Sequence, residues 1–349
     1  MTKGEHLRST AAKATVVAAL AIAVLAVATA AFAAKPGPGT ATGSGTVFAP
    51  NPVADLQNQS LTDQKDADYP ALAPAYHTVA LTNLDGSGFL RGDYANILSE
   101  TGDPAYSPTN QFHYRRNDDR FEQVMAYYWV TEAQKYIQSL GFGTTLRPVN
   151  RESQDLRINQ WGADNSFSWD KKDMIKLGKG GVDDAEDAEV ILHELGHAIQ
   201  DSQQVPFGYG FGFEARSIGE GFADYWAVTV ADVLAPTPDP ACVADWDSVS
   251  YTSTTPHCLR RVDLNLHYPE NINPNSVHAT GRIWSRALWE IRKALGHVRA
   301  DTLILEGHFG QRDPTMRTLA ESTVAAANRL YGSSVANTVR AKFEERGIL

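Results

Sequence analysis

The chain has 349 residues, 43% of them hydrophobic and 21% charged, enough for one large domain or two lobes of roughly 100–200 residues each. Its formal net charge of −10 argues against a nucleic-acid partner, because no basic surface is available to displace counterions from a phosphate backbone. Membrane-spanning segments beyond the N-terminus are also excluded, since no later stretch is long and apolar enough.

The N-terminus has the three parts of an export signal. Basic residues precede an apolar run over residues 15–30, and the small residues of 31–33 follow where a signal peptidase would cut. An uncleaved membrane anchor is the alternative, because the run is close to the length of about 20 residues that spans a bilayer. Its alanine-rich composition favours cleavage, so we predict a signal peptide over residues 1–33 and a secreted, extracellular protein.

The next part of the chain predicts a linker followed by short strands. Residues 34–68 read as a flexible linker, because the first part of that range is rich in Gly, Pro, Ser and Thr with few large apolar residues. Short apolar stretches separated by turn pairs such as Asp85-Gly86 predict strands and hairpins between residues 69 and 118. Apolar residues at helical spacing predict a helix over 119–140, and weak alternation over 147–177 predicts further strands, with 165–169 near a sheet edge.

The second half of the chain is predicted to be mainly helical. Asp183-Asp184 offers an N-cap for a helix that carries two histidines, and a second helix is expected over 218–234. A Pro-rich insert over 236–275 holds Cys242 and Cys258, an even pair that suggests a disulfide in an exported chain. Further helices are expected from residue 277 onward, including 315–331 and 333–346.

The motif His193-Glu194-Leu195-Gly196-His197 is the strongest chemical signal. On a helix His193 and His197 lie on one face, where both imidazoles can bind one zinc ion. Glu194 lies at the edge of that face, where it can take a proton from a water molecule held by the metal. The alternative, a histidine pair that binds nothing, is less favoured because the opposite face of the helix is apolar.

Such a zinc site needs a third protein ligand, and Glu220 is the strongest candidate downstream. Asp224 lies four residues later on the same helical face, where it can accept the spare N–H of a liganding histidine. Alternatively, Ser217-Ile218-Gly219-Glu220 fits a capping box, in which Glu220 only satisfies a helix start.

These motifs resemble those of the gluzincin metallopeptidases, the thermolysin-like group. Longer stretches resemble the fungalysin branch: 85–92, 219–225, 277–284 and 343–347. The resemblance covers residues 69 to the C-terminus. It implies an α+β, two-lobe fold, with a β-rich N-terminal lobe over 69–203 that ends in the zinc helix and a mainly helical lobe over 204–349.

The resemblance also implies roles for individual residues. His193, His197 and Glu220 would bind one zinc ion, Glu194 would act as general base, and Asp224 would orient a ligand. His278 matches the family histidine that hydrogen-bonds the oxyanion, and Asn165, Arg261 and Tyr209 are candidates for substrate binding. Calcium is not indicated, because the acidic run of Asp183, Asp184, Glu186 and Asp187 is explained more simply by a helix N-terminus, where negative charge is favourable.

The predicted function is a secreted zinc endopeptidase that hydrolyses internal peptide bonds. No propeptide-length segment and no anchor for a free α-amine are evident, and the latter argues against an aminopeptidase. We expect a monomer that acts on peptides or proteins and has no stable membrane association after signal cleavage. The alternatives are a secreted zinc-binding adhesion or partner-binding protein without turnover, and a structural protein whose histidines are incidental.

Overall fold

Two small sheets occupy the first half of the chain. The computed structural model describes residues 39–98, 103–159, 162–203 and 210–349. The first sheet contains β1 (Ala41–Val47), β2 (His77–Leu84) and β4 (Gln111–Phe112), in the order β2-β1-β4. The second contains β3 (Ala95–Ile97), β5 (Gln154–Ile158), β6 (Phe167–Trp169) and β7 (Met174–Leu177), in the order β3-β5-β7-β6.

Strand β6 is an edge of the second sheet and runs antiparallel to β7, whereas β3, β5 and β7 are parallel. Among the described residues, no further strand joins that sheet beyond β6. An unpaired edge presents backbone N–H and C=O groups that an extended peptide can join. The strand predicted near residues 165–169 thus lies at a sheet edge, as expected.

Helices make up most of the second half. After α1 (Pro52–Leu56) and α2 (Arg120–Ser139), the later helices are α3 (Ala188–Ser202), α4 (Phe213–Leu234), α5 (Val277–Leu295), α6 (His297–His308), α7 (Met316–Tyr331) and α8 (Ser333–Glu345). A short hairpin of β8 (Cys242–Val243) and β9 (Arg260–Arg261) lies between α4 and α5 in sequence. The predicted α+β fold is confirmed, and no helix of the described residues is long and apolar enough to cross a membrane.

Helices α3, α4 and α5 approach one another closely because glycines stand at their crossings. A Cβ on Gly196 of α3 would lie 2.9 Å from the Cα of Ala223 on α4. A Cβ on Gly221 of α4 would lie 2.2 Å from the carbonyl oxygen of Gly281 on α5. These distances leave no room for a side chain, so the glycines allow the backbones to pack directly.

The linker predicted over residues 34–68 does not match the structure where that range is described. β1 pairs with β2 and β4, and Val47 and Phe48 are fully buried. The glycines that suggested flexibility serve packing, since a Cβ on Gly45 would lie 2.6 Å from Cγ1 of Val124 on α2. The sequence pattern cannot distinguish this use of glycine from a flexible tether.

Two predicted helix starts are also corrected. α3 is capped by Asp187, whose Oδ1 accepts from the Glu189 N–H at 3.0 Å, and not by Asp183 or Asp184. α4 begins at Phe213 instead of residue 218, so Glu220 lies inside the helix and does not cap its start. The predicted signal peptide lies outside the described residues, as do residues 204–209, where the predicted lobe boundary falls.

Candidate active site

Three side chains from two neighbouring helices converge at one point. Oε2 of Glu220 on α4 lies 3.4 Å from Nε2 of His193 and 3.7 Å from Nε2 of His197, both on α3. One potential ligand atom from each residue lies within 4.8 Å of the others. Oε2 of Glu220 is buried and has no hydrogen-bond partner among the described residues. This donor set of two imidazoles and a carboxylate, with an orphaned buried oxygen at its centre, fits a zinc ion.

Asp224 and Arg260 form a chain of hydrogen bonds that orients His193. Nδ1 of His193 lies 2.9 Å from Oδ1 of Asp224. When Nδ1 carries the proton and donates to Asp224, the lone pair of Nε2 is free to face Glu220 and a metal ion. The guanidinium of Arg260 donates to both carboxylate oxygens of Asp224, at 2.7 and 2.8 Å. Such a bidentate pair fixes the orientation of the carboxylate.

These contacts shift the pKa values of the group strongly. Burial opposes the charge of Asp224, but Arg260 and His193 lower its pKa below the ordinary range. The pKa of Glu220 is likewise lowered by the neighbouring histidines, although burial opposes this. Burial alone would lower the pKa of His193, yet the neighbouring carboxylates of Asp224 and Glu220 raise it to about 10. The site is therefore built to hold positive charge between its carboxylates.

His278 and Glu194 lie beside these three side chains. His278 is in the first turn of α5, where Ser276 caps the helix, and its Nε2 lies 3.1 Å from Oε2 of Glu220. The side chain of His278 is half-exposed, so it can face both the metal position and a substrate. Glu194 is buried, and its Oε2 has no hydrogen-bond partner among the described residues.

Two adjoining cavities meet at this point. The first, here called the acidic pocket, is lined by Asp184, Val190, Val243, Asp247, Leu259 and Arg260. The second, the strand-side groove, is lined by β6 together with His197, Gln200, Arg216, Glu220 and Val277. His193, Glu194 and His278 line both cavities. The arrangement forms one cleft with the reactive side chains at the junction.

Of the three predicted substrate-binding residues, one lies at the cleft, one does not, and one is outside the described residues. Asn165 lines both cavities next to β6. Arg261 does not line the cleft, because its guanidinium pairs with Asp239 and Asp263; the neighbouring Arg260 takes the place predicted for it. Tyr209 lies outside the described residues.

The segment that carries Arg260 is joined to the start of the metal-site helix. Asp187, the cap of α3, accepts from the backbone N–H groups of Trp246 and Asp247, at 3.1 and 3.2 Å. Oε2 of Glu189 accepts from the N–H of Ala244 at 2.6 Å. The predicted disulfide between Cys242 and Cys258 is present and closes the same segment. The acidic run before α3 thus ties this segment to the helix, in addition to capping it.

Comparisons with known proteins agree with this geometry. The fungalysin metallopeptidase family, M36, matches residues 160–302, a range that contains all the side chains described at the cleft. A solved structure, "Precursor of Protealysin, Metalloproteinase from Serratia proteamaculans", is similar with a TM-score of 0.50 and 17% identity, and the match covers 65% of this chain and 79% of that one. At that identity the likeness bears on the fold. A comparison with curated proteins gave no match.

The family match and the fold together identify the chain as a metallopeptidase, a hydrolase of peptide bonds. Over residues 160–302 the chain is similar to the fungalysin metallopeptidases, which confirms the resemblance of its sequence motifs to the fungalysin and thermolysin-like gluzincins.

Proposed function

We propose that the protein is a secreted, zinc-dependent endopeptidase whose reactive groups are Glu194 and His278. The observation that carries this proposal is the position of Glu220, whose unpartnered Oε2 faces Nε2 of both His193 and His197. A carboxylate and two imidazoles placed in this way can direct their lone pairs at one cation, and the buried Oε2 of Glu220 would be satisfied by it. When bound, zinc supplies Lewis acidity, which polarises the scissile carbonyl and makes water more acidic near neutral pH.

Glu194 is proposed as the general base. Its buried Oε2 lies in the cleft without a hydrogen-bond partner among the described residues, so it can accept a proton from the attacking water. As the oxygen of water adds to the carbonyl carbon and the C–N bond breaks, the same carboxyl group delivers that proton to the leaving nitrogen. One water molecule is consumed for each peptide bond hydrolysed.

His278, Asp224 and Arg260 are proposed to support this reaction. An N–H of His278 would donate to the carbonyl oxygen as negative charge develops there, an interaction made mainly in the transition state. Asp224 holds the N–H of His193 and so fixes its tautomer, while Arg260 holds Asp224. Asp224 and Arg260 are therefore positioning residues.

The substrate is proposed to bind in extended form along β6. An extended peptide can pair with the outer edge of this strand, and the groove beside it leads to the reactive side chains. Asn165, at the entrance to the strand, is suited to a hydrogen bond with the peptide backbone. Two cavities share the reactive residues as lining, so the cleft can receive residues on both sides of an internal peptide bond.

The test is digestion of a peptide library by purified protein, with metal analysis and with and without a zinc chelator. Glu194→Gln should lower kcat by at least about 100-fold while about one zinc ion per chain is retained. Glu321→Gln is the matched control, because Glu321 is exposed on α7 and lines neither cavity. Zinc binding without any chelator-sensitive hydrolysis by the unaltered protein would instead favour the non-catalytic binding protein.

A further inference from the structure

Three carboxylates meet at the acidic pocket, and two of them, Asp184 and Asp247, line it. Asp164, Asp184 and Asp247 each place one oxygen within 4.8 Å of the others. They come from separate segments: the loop before β6, the 3-10 turn before α3, and the 3-10 turn that follows β8. Asp184 and Asp247 are each only 3% exposed. We refer to these three residues as the acidic cluster.

The acidic cluster has no cation of its own. Oδ1 of Asp184 and Oδ1 of Asp247 are buried without a hydrogen-bond donor, and the cluster makes no ion pair within the described part of the chain. The other oxygen of Asp184 accepts from Ser166, and Asp164 accepts from the hydroxyl of Tyr251. Both of these partners are neutral, so the negative charge is left uncompensated.

This arrangement is costly unless something positive enters the pocket. Buried carboxylates are ordinarily paired with a cation or protonated. Burial raises the pKa of Asp184 to about 7, with further contributions from Asp164 and Glu194. Burial and the neighbouring carboxylates also raise the pKa of Asp247 well above its ordinary value. Arg260 lines the same pocket and opposes this rise in the pKa of Asp247, but its guanidinium is already held by two hydrogen bonds to Asp224.

The pocket opens directly onto the reactive side chains, since His193, Glu194 and His278 belong to its lining. A substrate side chain that enters it must therefore belong to a residue close to the scissile bond. Part of the wall is apolar and is formed by Val190, Val243 and Leu259. A long methylene stem with a positive end matches a pocket that has apolar walls and unpaired carboxylates.

We propose that the acidic pocket receives a lysine or arginine side chain of the substrate, from a residue that adjoins the scissile bond. This inference rests on the proposed peptidase function and adds the substrate class to it. The ammonium or guanidinium group pairs with Asp184 and Asp247, while the stem contacts the apolar wall.

A divalent cation is the competing occupant of the acidic cluster. Calcium takes six to eight oxygen ligands in most protein sites, whereas the cluster offers three carboxylates beside an apolar wall. A metal ion would leave that wall and the opening towards Glu194 without a role. The basic side chain accounts for all three features.

The test compares cleavage of peptides that differ only next to the scissile bond, with lysine, arginine, norleucine, glutamine or glutamate at that position. Norleucine keeps the length of the lysine stem and removes the charge. We expect kcat/KM for lysine or arginine to exceed that for norleucine by about 10- to 100-fold, since one or two charged hydrogen bonds are gained. Mass spectrometry of the products reports on which side of the cut the basic residue lies.

Asp184→Asn and Asp247→Asn should each lower the ratio of basic to norleucine cleavage by about tenfold. Asp103→Asn is the matched control, because the side chain of Asp103 is 83% exposed and lines neither cavity. If a buried substitution impairs folding, as judged by circular dichroism, Asp164→Asn provides a second test, since Asp164 is only partly buried. Cleavage without a preference for basic residues would overturn the proposal and leave the peptidase function intact.

If the protein shows no hydrolysis, a binding measurement still tests the pocket for a basic side chain separately from the peptidase function. Calorimetry on zinc-loaded Glu194→Gln protein should give tighter binding of the lysine peptide than of the norleucine peptide, and Asp247→Asn in that background should abolish the difference. Equal binding of the two peptides would overturn the inference whether or not the protein is a peptidase. Calcium binding that is lost in Asp247→Asn, without any peptide preference, would assign the acidic cluster to a metal ion instead.

Discussion

The metal group and the acidic cluster lie in one cleft, yet they differ in how their charges are balanced. The metal group is the set of side chains at the proposed metal position: His193, His197, Glu220, Asp224 and Arg260. Around Glu220 and Asp224, each carboxylate is surrounded by imidazoles or by a guanidinium. In the acidic cluster, Asp184 and Asp247 are buried beside carboxylates and neutral hydroxyls. The first group lowers the pKa values of its carboxylates, and the second raises them.

This contrast separates two ways in which a site can be incomplete. In the metal group the charge of Asp224 is balanced by Arg260, and the inward-facing lone pairs of the ligands would be taken up by a zinc ion. The acidic cluster has no ion-pair partner among the described residues, since the guanidinium of Arg260 in the same pocket is hydrogen-bonded to Asp224, so we expect its counter-charge to arrive with a ligand. Chemistry and selectivity are thus expected to depend on different residues of the same cleft.

The largest effect that tests this separation is expected from Glu220→Gln. A neutral amide is a poor zinc ligand, so zinc content should fall from about one ion per chain towards zero and hydrolysis should be lost. Metal analysis after dialysis against a weak chelator measures the first effect. The acidic pocket should still bind the lysine peptide more tightly than the norleucine peptide. If zinc is retained at full stoichiometry, Glu220 is not a ligand.

A double substitution, Cys242→Ser with Cys258→Ser, tests the acidic side of the comparison. The disulfide closes a segment that contains Asp247 and Tyr251, and the two cysteines are 16 residues apart. Opening a loop of this size should lower the free energy of unfolding by about 3 kcal/mol. Denaturant titration measures this loss. At temperatures where the variant is folded, selectivity for basic residues should fall while zinc content is kept; equal losses of both would show that the two groups are not separable.

The sequence predicts the metal group far better than the acidic cluster. His193, His197, Glu220 and Asp224 lie on two helices, where a spacing of four residues by itself sets a common face. Arg260 is missed in favour of Arg261 because the two lie on a two-residue strand, where successive side chains point to opposite faces. The acidic cluster is assembled from three separate segments, so no local pattern encodes it. The same limit applies to β1, because the close approach of Gly45 to Val124 on α2 cannot be read from the local sequence.

The smallest effect concerns the pH dependence of stability, where the two groups should act in opposite directions. The pKa of Asp184 rises from 3.8 in the unfolded reference to about 7 in the folded chain, so between these values the folded chain holds a proton that the unfolded chain has lost. Its contribution to the free energy of unfolding is therefore present at low pH and declines as the pH rises towards 7. Asp224, with a lowered pKa, contributes stability above its unfolded pKa and loses it in acid.

Asp184→Asn removes this titration, and the decline in stability between pH 5 and pH 7 should be smaller in the variant by about 2 kcal/mol. Denaturant titrations of zinc-loaded protein at pH 5, 6 and 7 measure the difference, with Asp103→Asn as the exposed control. Because zinc is present in both proteins, the metal group contributes equally and cancels. If the stability of the variant declines as steeply as that of the unaltered protein, the charge of Asp184 is already compensated in solution. The acidic cluster would then not differ from the metal group in its charge balance.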